Sequence, residues 1–281
     1  MAIKWTLLGL LMYAAMGLYL LAAAAFFARA RKPSWGLFGA GFVAAVAAFV
    51  WRWSQAGHPP LQNLFEVFLG LGMLAFPISV FSRRALGTAD EAADAILGVL
   101  VLFPAGFVFS VAPHPLPPVL QSPLFVPHVA AYMLAYVILA KAAVPAARRL
   151  FSSERGAESG KPCATAGLVR PCDTLTKNIS DDAAAYRLVS FGFPLLTLGL
   201  VLGAWWGKMA WGDYWNWDPK ELWSLAAWLV YLLYFHVRYR FGAAHPRLTA
   251  AFVLVGLATI VLTLLWVNLA RLFAGLHSYA S

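Results

Sequence analysis

Residues 5–28 read WTLLGLLMYAAMGLYLLAAAAFFA, an uncharged run that ends against Arg29, Arg31 and Lys32. It is too long for the core of a signal peptide and closes on basic residues instead of a small-residue cleavage site, so it reads as a retained first membrane span. The rest of the 281 residues is built the same way, 62% hydrophobic and only 12% charged, with a mean hydropathy of +0.72. Such a chain has too little polar surface to cover a water-soluble globule. About 20 apolar residues cross the ~30 Å hydrocarbon layer. Eight runs of that kind, bounded by charges, Pro or Gly, fall at 5–28, 34–53, 61–81, 93–112, 124–147, 187–206, 221–237 and 248–270. The expected fold is all-α: a polytopic integral membrane protein of about eight transmembrane helices, a single membrane domain over 1–281 set in the lipid bilayer.

An excess of 21 Lys+Arg over 12 Asp+Glu would suggest nucleic acid in a soluble protein. Here the basic residues cluster in short segments between apolar runs, which is a pattern of topology, and no nucleic acid is expected. With the N-terminus outside, sixteen basic residues lie at inner segments, against five (Lys4, Arg52, Lys208, Lys220 and Arg271) at outer ones. Both termini are therefore expected on the outer, non-cytoplasmic side. The inner stretch 150–186, a mixture of Ser, Gly, Pro and charges, is expected as a long cytoplasmic loop that separates a five-helix half from a three-helix half. Cys163 and Cys172 lie within it, without CxxC spacing or a neighbouring histidine, and read as free thiols.

At an outer junction the chain reads WGDYWNWDPKELW, residues 211–223. Seven of the twelve tryptophans, Trp205, Trp206, Trp211, Trp215, Trp217, Trp223 and Trp228, fall within 24 residues. An interfacial aromatic belt would spread them over many helix ends. Concentrated at one junction, they offer a flat apolar platform for a large planar ligand. Asp218, Pro219 and Glu221 are placed as N-cap, first and third residues of the following helix, a capping box that would hold the loop in a fixed pose.

The histidines suggest what the ligand is. His128 lies just inside the outer end of the fifth span and His277 follows the eighth, so both belong to the level of the aromatic loop. Two imidazoles beside an aromatic surface suit a six-coordinate haem iron. His236 stands fifteen residues beyond Glu221, about 22 Å deeper along a helix. It cannot share an iron with the outer pair, and an ionisable residue within a span is a functional candidate. His58, with Asn63 and Glu66, reads as a brace at the start of the third span, while His114 and His245 read as solvated loop residues. Apart from Pro104, Pro194 and Glu66, the spans read as plainly apolar.

WGDYWNWDPKEL resembles the tryptophan-rich WWD signature of haem-handling membrane proteins, and its DPKE ending followed by LWSLAAW resembles the CcsA/ResC branch of system II cytochrome c biogenesis. CcmC and CcmF share the tryptophan core but are less similar after the WD. GHPPLQNLFEV, LFVPHVAAYMLAY and GLHSYAS extend the resemblance over almost the whole chain. It implies that His128 and His277 are axial ligands of an external haem b bound in transit. It also implies that the outer segment 206–223 contacts its face and edge through Trp211, Tyr214, Trp215, Trp217 and Asp218, and that His236 belongs to a second, intramembrane haem site. The part that in larger members carries a ResB-like region does not precede this sequence, so a ResB/CcsB-like membrane subunit would supply the second inner ligand.

The activity so implied is delivery of haem across the membrane and its attachment to the CxxCH thiols of apocytochrome c, with thiol-reducing proteins as further partners. The membrane would be a bacterial inner membrane or a plastid thylakoid. No side chain stands out as nucleophile or general acid, which leaves proximity as the contribution of the protein. Arg52, Lys208, Lys220 and Arg271 are candidates to meet the haem propionates, or else to reach lipid phosphate. The same sites would also serve a haem exporter or chaperone without ligation activity, or a HemX-like accessory protein.

Overall fold

The computed structural model describes residues 3–112, 114–151, 180–241 and 244–266. Eight α-helices account for most of them: α1 (Leu7–Phe27), α2 (Arg31–Ala56), α3 (Leu64–Phe81), α4 (Glu91–Phe107), α5 (Phe125–Phe151), α6 (Asp181–Trp211), α7 (Pro219–Phe241) and α8 (Pro246–Val261). Single π-helical turns, Ser82–Leu86 and Leu262–Trp266, continue α3 and α8. No strand occurs among the described residues, as a membrane interior requires, where every backbone polar group must be satisfied within its own segment. Six helices are long and apolar enough to cross a bilayer, namely α1, α2, α3 with its π turn, α5, α6, and α8 with its π turn. The other two are α4, with 17 residues, and α7, which carries Lys220, Glu221, His236, Arg238 and Arg240. The chain is a polytopic α-helical membrane protein.

Sequence chemistry sets the helix limits. Thr6, Asn63 and Ser180 accept from Gly9, Glu66 and Ala183 N–H at 3.2, 3.0 and 3.2 Å, capping α1, α3 and α6. Gly57 and Gly212 close α2 and α6 in the left-handed region, φ 73° and 92°, where a side chain would be strained. Because Ser180 caps and Asp181 and Asp182 occupy the first turn, α6 begins six residues before the expected end of the loop at 186. Acidic residues favour a helix N-terminus, which a hydropathy count cannot register. Cys163 and Cys172 lie outside the described residues.

The helices form two four-membered rings. In the first, α1 packs on α2 and α4, and α3 completes the ring against α2 and α4; in the second, α5 packs on α6 and α8, with α7 between them. The expected five-plus-three division is thus a four-plus-four division in the packing. The reason is the α5–α6 contact, where Gly192, Gly199 and Gly203 lie against Leu139, Tyr132 and His128, small residues letting two backbones approach. Each ring has its own core, around Met12, Tyr19, Phe38 and Leu102 in one and Leu139, Leu188, Tyr231 and Val253 in the other. The rings meet where α3 and α4 touch α5.

Two buried ion pairs correct the picture of plainly apolar spans. Arg52 of α2 donates from Nε to Glu66 of α3 at 2.8 Å and from Nη1 to the Val111 carbonyl at 2.7 Å. It is 2% exposed, so it is neither a propionate ligand nor a lipid anchor. Lys141 of α5 meets Asp94 of α4, and Ser79 of α3 donates to the same carboxylate oxygen at 2.5 Å. That pair ties the two rings together from within. Near the end of α5, Arg148 bridges Asp90 and Asp181 at 2.6 and 2.8 Å.

Breaking a buried pair leaves an uncompensated charge, which costs about 3–5 kcal/mol, whereas removing both charges is far milder. Lys141→Met should therefore lower the thermal unfolding temperature in detergent sharply, and Lys141→Met/Asp94→Leu should recover most of the loss. Equal melting of all three proteins would contradict this account.

Candidate functional site

The Trp-rich loop is held at both ends. Its exit is the capping box expected from the sequence: Asp218 Oδ1 accepts from Lys220 N–H at 2.9 Å, and Glu221 Oε2 accepts from Asp218 N–H at 3.2 Å. The same Glu221 oxygen also takes Asn216 N–H at 2.8 Å, so one carboxylate gathers two loop amides. At the entrance, Lys208 donates to the Gly212 carbonyl at 2.5 Å and lies over the Tyr214 ring. Trp217 adopts φ 58°, rare for a bulky residue, and its ring stands perpendicular to that of Trp215 at 6.1 Å.

Beneath this loop lies a partly open pocket. It collects the starts of α3, α5 and α7 and the ends of α6 and α8. Its walls include Phe125, His128, Tyr132, Tyr136, Trp206, Trp211, Tyr214 and Trp215. Gln62, Asn63, Lys220, Glu221 and Ser224 form a polar margin. Aromatic walls with a few convergent polar groups are the usual make-up of a site for a large organic ligand.

His128 is the best-fixed residue of the pocket. Its Nδ1 lies 2.8 Å from the Gly199 carbonyl, an acceptor only, so Nδ1 carries the proton and the ring lone pair is on Nε2. The imidazole stacks on Trp206, with centroids 5.9 Å apart and planes at 14°, and Tyr132 meets it edge-on at 5.1 Å. A Cβ at position 203 would stand 2.5 Å from His128 Cε1, so glycine there makes room for the ring. A histidine whose Nδ1–H is held by a backbone carbonyl is prepared to ligate metal through Nε2. The donor set and the aromatic lining both fit a haem.

Lys220 sits in the capping turn, ahead of the apolar run of α7. Burial pushes its ammonium down to about 8, opposed by the nearby Asp218 carboxylate. Of the four basic residues considered for propionates, Lys220 lines the pocket, Arg52 is committed to Glu66, Lys208 serves the loop, and Arg271 lies outside the described residues.

The structure brings together His128, Trp211, Tyr214 and Trp215. Trp217 is 68% exposed and Asp218 is the buried helix cap, and neither belongs to the pocket wall. His236 is exposed on α7, on a stripe with Leu229, Leu232 and Leu233. His277 lies outside the described residues. His58 is buried between the Pro59 and His114 carbonyls, at 3.1 and 3.4 Å from its ring nitrogens, and acts as the brace its sequence position suggests. His114 and His245 are exposed, as expected, though His245 packs near Phe241. Sequence reasoning missed Tyr132 and Tyr136, whose signal was their spacing of four and eight residues from His128 on one helix face. It also missed Gly199 and Gly203, whose role depends on a packing partner far away in sequence.

The family model described as cytochrome C assembly protein matches residues 5–275. The chain belongs to this family of membrane proteins. It is 33% identical over 255 residues to the cytochrome c biogenesis protein CcsA of Prochlorococcus marinus (strain MIT 9303), covering 83% of this chain and 79% of that protein. The CcsA protein of Guillardia theta is 35% identical over 246 residues, covering 81% and 79%. That of Chlamydomonas reinhardtii is 32% identical over 238 residues, covering 81% and 63%. Among solved structures, cytochrome c haem lyase CcmF shares the fold, with a TM-score of 0.62 at 18% identity over 94% of this chain, which spans about half (48%) of that one.

Glu221→Ala removes the acceptor of two loop amides. It should lower stability by about 1 kcal/mol, typical of a lost cap, and should speed hydrogen exchange at the amides of 213–218 selectively. Uniform exchange across the chain would show instead that the loop is not held by its cap.

Proposed function

We propose that this protein takes haem b into the outer aromatic pocket and, with a ResB/CcsB-like membrane subunit, attaches it to the CxxCH thiols of apocytochrome c, as system II proteins do. The observation that carries the reading is His128, oriented by Gly199 and stacked on Trp206 in the pocket wall. Membership of the cytochrome c assembly family supports it. In this reading His128 and His277 are the axial ligands, and Trp211, Tyr214 and Trp215 cover the macrocycle, with Trp217 and Asp218 outside them. His236 ligates a second haem within the membrane, its exposed position on α7 accessible to a histidine of the partner subunit. The membrane is a bacterial inner membrane or a thylakoid, and thiol-reducing proteins keep the substrate cysteines reduced.

Chemically, each thiol adds across a vinyl group: sulfur bonds to the carbon next to the ring, and the thiol proton ends on the terminal carbon. The residues on the wall provide no nucleophile for this step. They fix the plane of the haem, exclude water from one face and hold a vinyl edge for the peptide, and proximity of that kind accounts for a large share of a barrier. His128, together with His277, would hold the haem iron through its Nε2 while the CxxCH peptide binds. Lys220 pairs with a propionate through a charge-assisted hydrogen bond.

Absorption spectra of the chain purified with its partner test the ligands. The low-spin haem bands should weaken in His128→Ala and His277→Ala and return on addition of imidazole, with His236→Ala losing a separate inner haem. Spectra identical across all four proteins would remove the assignment. Incubation with reduced CxxCH peptide then separates a ligase, which yields covalent haem, from an exporter or chaperone, which leaves haem extractable.

Lys220 carries its charge below its depressed value of about 8 and loses it above. Haem affinity should therefore fall as pH rises through that range in the wild type. In Lys220→Gln it should be roughly tenfold weaker at neutral pH, as for a lost hydrogen bond to a charged group, and flat across the same range. Titration of haem into the apoprotein at several pH values reads both effects.

A further inference from the structure

A second cavity lies next to the aromatic pocket in the seam between the two helix rings. Ala75 of α3, Leu97 and Val101 of α4, Val137 of α5, and Leu257 and Val261 of α8 are among its walls. Its lining is hydrocarbon throughout except for Tyr136. Tyr136 and Leu264 line this cavity and the aromatic pocket alike, so the two spaces adjoin with these side chains between them. On α5 they run from Phe125 to Ala140, which is about 22 Å of helix.

The cavity also has a side facing the lipid. α4 and α8 flank it from opposite rings and make next to no contact with each other among the described residues. Val261 on its wall is 44% exposed. Leu100, on the neighbouring outer surface of α4, is 64% exposed. A cleft between two helices that do not pack on one another, opening at the depth of the acyl chains, admits solutes from the bilayer and not from water, since a cavity with such a lining does not hold water.

We infer that this seam is the lateral entrance through which haem reaches the outer pocket from the hydrocarbon layer, passing between α4 and α8 and then Tyr136. The inference rests on the external-haem reading above. The occupant is haem because the cavity adjoins, through Tyr136 and Leu264, the pocket that holds the macrocycle, and its hydrocarbon lining suits a flat apolar ring. It is a passage and not a station: among the described residues its walls carry no histidine, cysteine or methionine to retain iron, and no cation to hold a carboxylate. His236 lies elsewhere, on α7 in the second ring, so haem released there reaches the outer pocket by way of the bilayer around α8.

The test uses the chain with its partner subunit in lipid nanodiscs, in a Cys163→Ser/Cys172→Ser background carrying Val101→Cys and Leu257→Cys. A bismaleimide with a reducible linker closes the α4–α8 cleft. Haem is supplied within the bilayer, and loading is followed by growth of the low-spin spectrum. Closing the cleft should slow loading at least tenfold, cleavage of the linker should restore the rate, and cross-linking protein that already holds haem should leave its spectrum unchanged. Equal loading rates with the cleft open and closed would overturn the inference and leave the cavity as a lipid-filled gap. A changed spectrum in preloaded protein would overturn it too, making the cavity part of the resting site. Failure of the uncross-linked protein to bind haem at all would instead overturn the external-haem reading, and this route with it.

Discussion

The close approach of α5 and α6 is the constraint on which the site depends. Gly199 and Gly203 carry no side chain where Tyr132 and the His128 imidazole need to lie, and the Gly199 carbonyl takes the Nδ1 proton that fixes the ring. In a membrane no bulk hydrophobic effect drives helices together, so packing at small residues and interhelical hydrogen bonds do so. Here Gly199 and Gly203 provide the packing, and the Gly199 carbonyl the hydrogen bond. Fold and site are therefore not separable at this contact: whatever pushes the helices apart also releases the imidazole.

The second organising feature is the seam. Two rings with separate cores meet where α3 and α4 touch α5, and the charges placed there, Asp94 and Lys141, are buried as a pair. A buried pair contributes little net stability against an apolar alternative, but it tolerates no mismatch. Asp94, Lys141 and Ser79 thus hold α3, α4 and α5 in one register, while Arg148 with Asp90 and Asp181 does the same near the end of α5. Arg52 and Glu66 perform the corresponding task for the outer loops, setting Gln62 and Asn63 at the pocket margin.

How much of this was legible in the sequence depends on the range of the interaction involved. The helices are local: runs of apolar residues with breaks give all eight, and Asp218, Pro219 and Glu221 give the capping box, because the partners lie within one turn of each other. The aromatic pocket was legible as a concentration of tryptophan, and His128 as a histidine at its level. Hydropathy gave the wrong result where a polar residue serves a distant partner. Lys141 reads as an inner-end charge until Asp94, 47 residues away, is seen beside it, and Arg52 reads as a surface cation until Glu66 accepts its proton. The four-plus-four division was hidden for a similar reason, since the longest break in the chain falls after α5, yet α5 packs on α6 across that break.

Among the described residues, the titratable groups on the pocket wall are His128, Lys220, Glu221 and several tyrosines, with Glu221 already engaged by the loop amides. A thiol adding to a vinyl group brings its own nucleophile and its own proton, so a site for that reaction has no use for a catalytic acid or base of its own. It needs rigidity at the ring, one adaptable axial position and an exposed edge. Rigidity comes from Trp206 and the Gly199 carbonyl behind His128, and from Glu221 behind the loop. The exposed edge falls where Tyr214 and Trp217, 60% and 68% accessible, face outward. A pocket with its fixed residues inside and its aromatic rim open to the aqueous side suits a reaction between a buried planar molecule and an unfolded peptide better than one between two small solutes.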